Sequence, residues 1–82
     1  REYAFNRDKM VCRCCKWQLL HTEQRECHHV YPKLPLNQLN KVPNLAWVCT
    51  ECHKQIHGKE IPQSTEAKVK RKIISFRDKL NN

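Results

Sequence analysis

The stretch Leu45-Ala46-Trp47-Val48-Cys49-Thr50-Glu51-Cys52-His53-Lys54-Gln55-Ile56-His57-Gly58 decides how this chain folds. Residues 45–48 are apolar and partly β-branched or aromatic, the pattern of a short strand. That strand runs straight into a Cys-x-x-Cys turn, Cys49 to Cys52, and residues 53–57 fit one or two helical turns ended by Gly58. His53 and His57 stand at i, i+4, so on a helix both imidazoles share one face and can hold one metal ion. A solvated pair is the alternative that the spacing alone leaves open.

A second Cys-x-x-Cys, Cys12 with Cys15, lies in the Cys-rich turn of residues 11–20. Two such turns are the usual way to build a tetrahedral four-thiolate Zn²⁺ site from Cys12, Cys15, Cys49 and Cys52. Two residues between ligands let a tight turn aim both sulfurs at one ion. A closed four-cysteine site has no open position, so its role is to hold the fold. Disulfides or free buried thiols are the competing reading, and paired Cys-x-x-Cys turns suit metal better. Cys14 and Cys27 fall outside the pattern and are expected to act as small hydrophobes, Cys27 at an inward strand position.

The need for such a site follows from size. The chain has 82 residues, 39% of them hydrophobic, six Cys and a single Gly, and so short a chain buries too little surface for a secure core. Sixteen Lys and Arg against eight Asp and Glu give a formal net charge of +8, which favours a polyanionic partner, nucleic acid first. A solvated basic surface is the alternative. No run of ~18 apolar residues could span a membrane, and no signal-peptide pattern is present. The expected setting is therefore intracellular and soluble, in a bacterial cytoplasm or, in a eukaryote, an organelle matrix. The chain opens at Arg1 rather than Met, and the expectation is a fragment of a longer protein.

Upstream, residues 1–9 fit a short helix, with Tyr3, Ala4 and Met10 offering apolar contacts and Arg7 and Asp8 closing it. Residues 21–26 are polar and aperiodic, the mark of a hairpin loop. Residues 27–31 read as a strand that stops before Pro32. On it, His28 and His29 point to opposite faces, so one can join the helix histidines at a metal while the other takes a separate task. Between Pro32 and Pro43, prolines and leucines alternate with Asn and Lys as in a compact, packed loop. Residues 64–82 form a last helix with Ser64 or Thr65 as N-cap, an apolar stripe of Val69, Ile73, Phe76 and Leu80, and a basic outer face. Packing in the core is the expected role of both Trp17 and Trp47, over stacking on bases.

Taken together, His28-His29-Val30-Tyr31-Pro32, Asn44-Leu45, and Cys49-x-x-Cys52-His53 with His57 resemble the HNH endonucleases. The likeness covers residues 1–58, with fifteen positions from His29 to Asn44 and nine from Asn44 to His53. The run Lys33-Leu34-Pro35-Leu36-Asn37-Gln38-Leu39-Asn40-Lys41-Val42-Pro43-Asn44-Leu45 is more particularly similar to the C-terminal endonuclease domain of group II intron-encoded reverse transcriptases. The family's glycine-rich loop after the proline is missing, replaced by this Leu- and Pro-rich run.

The resemblance implies a single domain over residues 1–82 of class α+β: an HNH-type ββα-metal unit clamped by zinc, with an N-terminal helix and a basic C-terminal helix. It implies that His29 is the general base, that Asn44 hydrogen-bonds the backbone and so fixes the loop and His29, and that His28, His53 and His57 bind one divalent ion. Imidazole titrates near neutral pH, as a base requires. Many HNH proteins carry Asp where His28 stands and Asn where His53 stands. An oxygen-rich site favours Mg²⁺, whereas three imidazoles also accept Ni²⁺, Mn²⁺ or Zn²⁺; Mg²⁺ is expected in the cell.

The implied activity is hydrolysis of a DNA phosphodiester bond. It would nick one strand of double-stranded target DNA to prime reverse transcription, with intron RNA and the reverse transcriptase portion of the parent protein as partners. Lys33, Lys41, Lys54 and Lys59 near the site, and Lys68, Arg71 and Lys72 on the last helix, are the expected DNA contacts, among a crowd that also holds Lys70, Arg77 and Lys79. The rival is a non-catalytic zinc-ribbon DNA-binding module, which would need only the cysteines and the basic surface.

Overall fold

A computed structural model describes residues 2–7 and 9–81, with the side chains of residues 5–7 and 9–81. The expectations placed on Arg1, Asp8 and the side chains of Tyr3 and Ala4 lie outside the described residues. The order is α1 (Glu2–Arg7), a 3-10 turn (Thr22–Gln24), β1 (Arg25–His29), α2 (Leu36–Leu39), a 3-10 turn (Val42–Asn44), β2 (Leu45–Cys49), α3 (Thr50–Ile56) and α4 (Ala67–Lys79). The class is α+β, and β1 and β2 form a two-stranded antiparallel sheet in the register Arg25↔Cys49 to His29↔Leu45.

Strand β1 starts and ends two residues before the sequence expectation of 27–31. Its pairing reaches down to Cys49, while at the other end the Asn44 side chain takes the Tyr31 N–H at 2.8 Å and draws Tyr31 off the ladder. Helix α3 starts at Thr50 rather than His53, because Cys49 itself is the N-cap and its Sγ accepts from the Cys52 N–H at 3.4 Å. Gly58, at φ 114°, ends it as the sequence predicts. The expected cap of the last helix at Ser64 or Thr65 is corrected: the Thr65 N–H is taken by the Pro62 carbonyl at 3.0 Å, and the helix begins at Ala67 after Glu66, with no side-chain cap.

The core lies where β1, β2, α3, α4 and the Cys-rich turn meet. Leu19, Val30, Ala46, Val48, Ile56, Ile73 and Phe76 are buried there together with Cys12, Cys14 and Cys52. Ile73 and Phe76 bring the apolar stripe of α4 inward, flanked by the half-buried Val69 and Leu80. Arg77 then ties α4 to the end of α3, donating to the Gln55 carbonyl at 3.2 and 2.5 Å and to that of Lys59 at 3.1 Å, where the last carbonyls of a helix lack intrahelical partners. Helix α1 is held by Arg7, which donates to the carbonyls of Val42 at 2.9 Å and Leu45 at 2.6 Å, and by Phe5, edge-on to Trp47 at 5.6 Å. Met10 does not make its expected apolar contact: it sits at φ 61° and is exposed. No helix among the described residues is long and apolar enough to cross a membrane.

Candidate metal centres and active site

The first Cys-x-x-Cys is a small hairpin. Its ends are joined by the Cys12 N–H to the Trp17 carbonyl at 2.8 Å and by a bridge between Val11 and Gln18, and Lys16 takes a left-handed φ of 67° at its tip. The Arg13 N–H docks the hairpin on β2 through the Trp47 carbonyl at 3.0 Å. The second Cys-x-x-Cys is the last residue of β2 and the first turn of α3. The two turns converge so that one sulfur each from Cys12, Cys15, Cys49 and Cys52 lie within 4.8 Å of one another, and the six cysteines form no disulfide.

Such crowding sets the ionisation. Hydrogen bonds from Cys14, then Cys15, Cys49 and Cys52, hold the Cys12 thiol far below the usual thiol range. The Cys12 thiolate in turn pushes Cys15, Cys49 and Cys52 up, and Cys14 up to about 12. Four soft donors closing on one point are the donor set of a structural zinc site, so these cysteines can hold a metal ion such as zinc. Cys14 fills a core position as expected. Cys27 does not point inward: it pairs with Trp47 on the other face of the sheet and is half-buried.

The inward position of β1 belongs to His28, 1% exposed, and its Nε2 has no hydrogen-bond partner. His53 and His57 on α3 meet it: ring centroids are 5.1 Å from His28 to His53, 5.4 Å from His28 to His57 and 4.6 Å between the last two. One ring nitrogen from each of the three lies within 4.8 Å of the others. Burial first, then the charges of His53, His57 and His29, pull His28 down to about 4, and burial followed by His53 lowers His57. The imidazole of His28 is thereby neutral at pH 7, its lone pair free of competition from protons. An orphaned, buried, neutral imidazole nitrogen facing two more imidazoles fits a metal ion well.

His29 points away from that cluster, half-buried, and its Nε2 lies 2.8 Å from Asn40 Oδ1. Asn44, 4% exposed, does what its expected role requires of the backbone: its Oδ1 accepts from Tyr31 N, and its Nδ2 donates to the carbonyls of Tyr31 at 3.2 Å and Leu39 at 2.9 Å. These bonds hold the loop between the strands. Leucine packing does less there than expected, since Leu36 is 82% exposed.

Glu26 was not singled out in the sequence. Its Oε2 lies 2.6 Å from His53 Nδ1, leaving Nε2 to face the cluster, the carboxylate support that metal-ligating histidines commonly have. Strand alternation held the signal, since Glu26 is two residues from His28 and shares its face. Asn40 carried no such signal. Among the expected DNA contacts, Lys33, Lys41, Lys54, Lys68 and Arg71 are exposed and Lys72 is half-buried. Lys59 is engaged by Glu51 at 2.9 Å, which lowers the Glu51 carboxyl, and Arg77 is spent on backbone carbonyls. Trp47 packs as expected, edge-on to Phe5, with the Arg25 guanidinium against both rings. Trp17 does not: it is 64% exposed. No family model matches the chain, nor does any curated protein or solved structure.

Proposed function

We propose that the chain is an HNH-type DNA endonuclease, most like the C-terminal endonuclease domain of group II intron-encoded reverse transcriptases, that nicks one strand of target DNA. The observation that carries the reading is the convergence of His28, His53 and His57 within 4.8 Å, with a second, outward histidine adjacent on the same strand. A binding module held by its four cysteines has no use for a buried imidazole whose Nε2 is unpartnered.

In this reading the four cysteines hold a structural zinc, and His28, His53 and His57 hold a divalent ion, Mg²⁺ in the cell. When bound, that ion supplies charge stabilisation at the scissile phosphate. His29 is the general base. With Asn40 Oδ1 accepting from Nε2–H, its Nδ1 bears the lone pair that takes the proton of the attacking water. Asn44 keeps the following turn, and so the end of β1, in place. Glu26 keeps His53 in one tautomer. Lys33, Lys41 and Lys54 are free to meet phosphates near the cluster. The nick would supply the 3′ end for reverse transcription by the parent protein, with intron RNA as partner.

The test is nicking of supercoiled plasmid by zinc-loaded protein with Mg²⁺ or Mn²⁺, wild type beside His29→Ala. Wild type should relax the plasmid, and the variant should be slower by about 100-fold or more, the usual contribution of a general base. A zinc-loaded wild type that binds plasmid and never nicks it would favour the zinc-ribbon binding module.

A further inference from the structure

Between the Cys12–Cys15 hairpin and α4 runs a groove of about 360 Å³ lined by Arg13, Lys16, Lys72, Ser75, Phe76 and Lys79. Among the described residues its lining holds four cations and no carboxylate. On α4, Lys72, Ser75 and Lys79 recur three and four residues apart and so form one ridge beside the apolar stripe. Arg13 and Lys16 face that ridge from a hairpin that Cys12, Cys14 and the Trp47 carbonyl hold rigid. Lys16 also lines the neighbouring hollow with Trp17, Leu20 and His21, so this one side chain borders both the groove and the hollow that holds the exposed indole.

An indole 64% exposed, where the hairpin closes next to Lys16, contributes nothing to the core. Its flat face beside a track of cations matches what a single-stranded nucleic acid needs: phosphates along the cations, and a base stacked on an aromatic ring. A duplex keeps its bases stacked on each other and has no free face to offer the indole. Phe76 also lines the groove, and its ring centroid lies 5.8 Å from that of His28, so one side chain borders both the groove and the histidine cluster.

We infer that the groove between the first cysteine hairpin and α4, with Lys16, Lys72 and Lys79 along it and Trp17 in the hollow that Lys16 shares with it, binds a single-stranded nucleic-acid segment. The site goes beyond the nuclease reading and holds without it, since binding here uses none of the histidines.

Zinc-loaded protein without added Mg²⁺ is titrated with a fluorescein-labelled (dT)12 for affinity, and with unlabelled (dT)12 for indole fluorescence. Wild type should bind with quenching. Trp17→Phe, which leaves Trp47 as the one indole, should lose the quench. Trp17→Ala should bind about tenfold more weakly, Trp17→Tyr should recover most of that loss, and Lys72→Ala should lower the slope of log affinity against log salt by about 0.7. Zinc content and circular dichroism report that each variant is folded, and the exposed Lys16→Ala serves as a second probe of the hairpin. Wild-type affinity in both Trp17→Ala and Lys16→Ala would overturn the inference. So would a 12-base-pair duplex that binds more tightly than (dT)12 at the same salt. Plasmid nicking is read separately, so failure of one proposal leaves the other standing.

Discussion

Replacing Asn44 by Ala removes one side chain that satisfies three backbone groups. The Tyr31 N–H loses its acceptor at 2.8 Å, and the carbonyls of Tyr31 and Leu39 lose donors at 3.2 and 2.9 Å. A net hydrogen bond is worth about 1 kcal/mol, and more where a buried partner is left unpaired. Tyr31 and Leu39 are only half-buried, so water can reach part of the gap and the three do not each incur the full penalty. The expected loss is about 2–3 kcal/mol, a large share of the ~4–12 kcal/mol that a domain of this size commands. At a urea dependence of about 1 kcal/mol/M the midpoint should fall by about 2–3 M, with zinc held saturating for both proteins. Asn44→Asp is the sharper control. It keeps an acceptor for Tyr31 but sets a carboxylate against two carbonyl oxygens, so it should cost no less than Ala. An Asn44→Ala protein within about 0.5 kcal/mol of wild type would refute the role given to this side chain.

Three further outcomes can be checked. Glu26→Gln should weaken divalent-ion binding at the histidine cluster by about 10- to 100-fold in calorimetry while leaving the thermal melt in place, and unchanged affinity would remove Glu26 from the site. His28 has a folded value of about 4 against an ordinary 6.5, so between those values the unfolded chain binds the extra proton and stability is lost as pH falls through that window. In unfolding curves at pH 7 and pH 5, wild type should therefore lose about 2 kcal/mol more than His28→Leu, and equal losses would mean that the imidazole is not held neutral. Cys12→Ser should release zinc and unfold the domain, and a full zinc complement with an unchanged melt would end the four-cysteine assignment.

The parts of the fold legible in the sequence are those fixed by spacing. Two residues between cysteines, three between His53 and His57, and the stripe of Val69, Ile73, Phe76 and Leu80 each follow from the geometry of one turn or one helix, and each is in place. The expectation for Asn44 rested on family resemblance, and its three backbone bonds agree with it. What spacing could not supply was competition between partners. Tyr31 looks like strand but loses its N–H to Asn44, and Thr65 looks like a cap but its N–H closes a turn on Pro62. Cys27 and His28 differ by one position on a strand, and hydrophobicity alone put the wrong one inside. Burial of His28 is a cost that only the two imidazoles opposite make sensible, and those come from a different element. Small cores need aromatics, which argues for Trp17 in the core. The hairpin that carries it is instead closed by cysteines and backbone hydrogen bonds, which frees the indole for the surface.

Cys52 and His53 are consecutive on α3, yet one faces the sulfur cluster and the other the histidine cluster. Each residue of an α-helix advances by about 100°, so a single insertion between them would swing His53 and His57 off His28 while the cysteines stayed in register. A deletion would do the same in the opposite sense. The segment from Cys49 to His57 is therefore fixed in length as well as in composition, whereas residues 32–34, mostly on the surface and ahead of the α2 turn that places Leu39 and Asn40, can lengthen or shorten with little consequence. Divergence in this chain should accumulate as loop-length change between β1 and α2 and stop abruptly at α2.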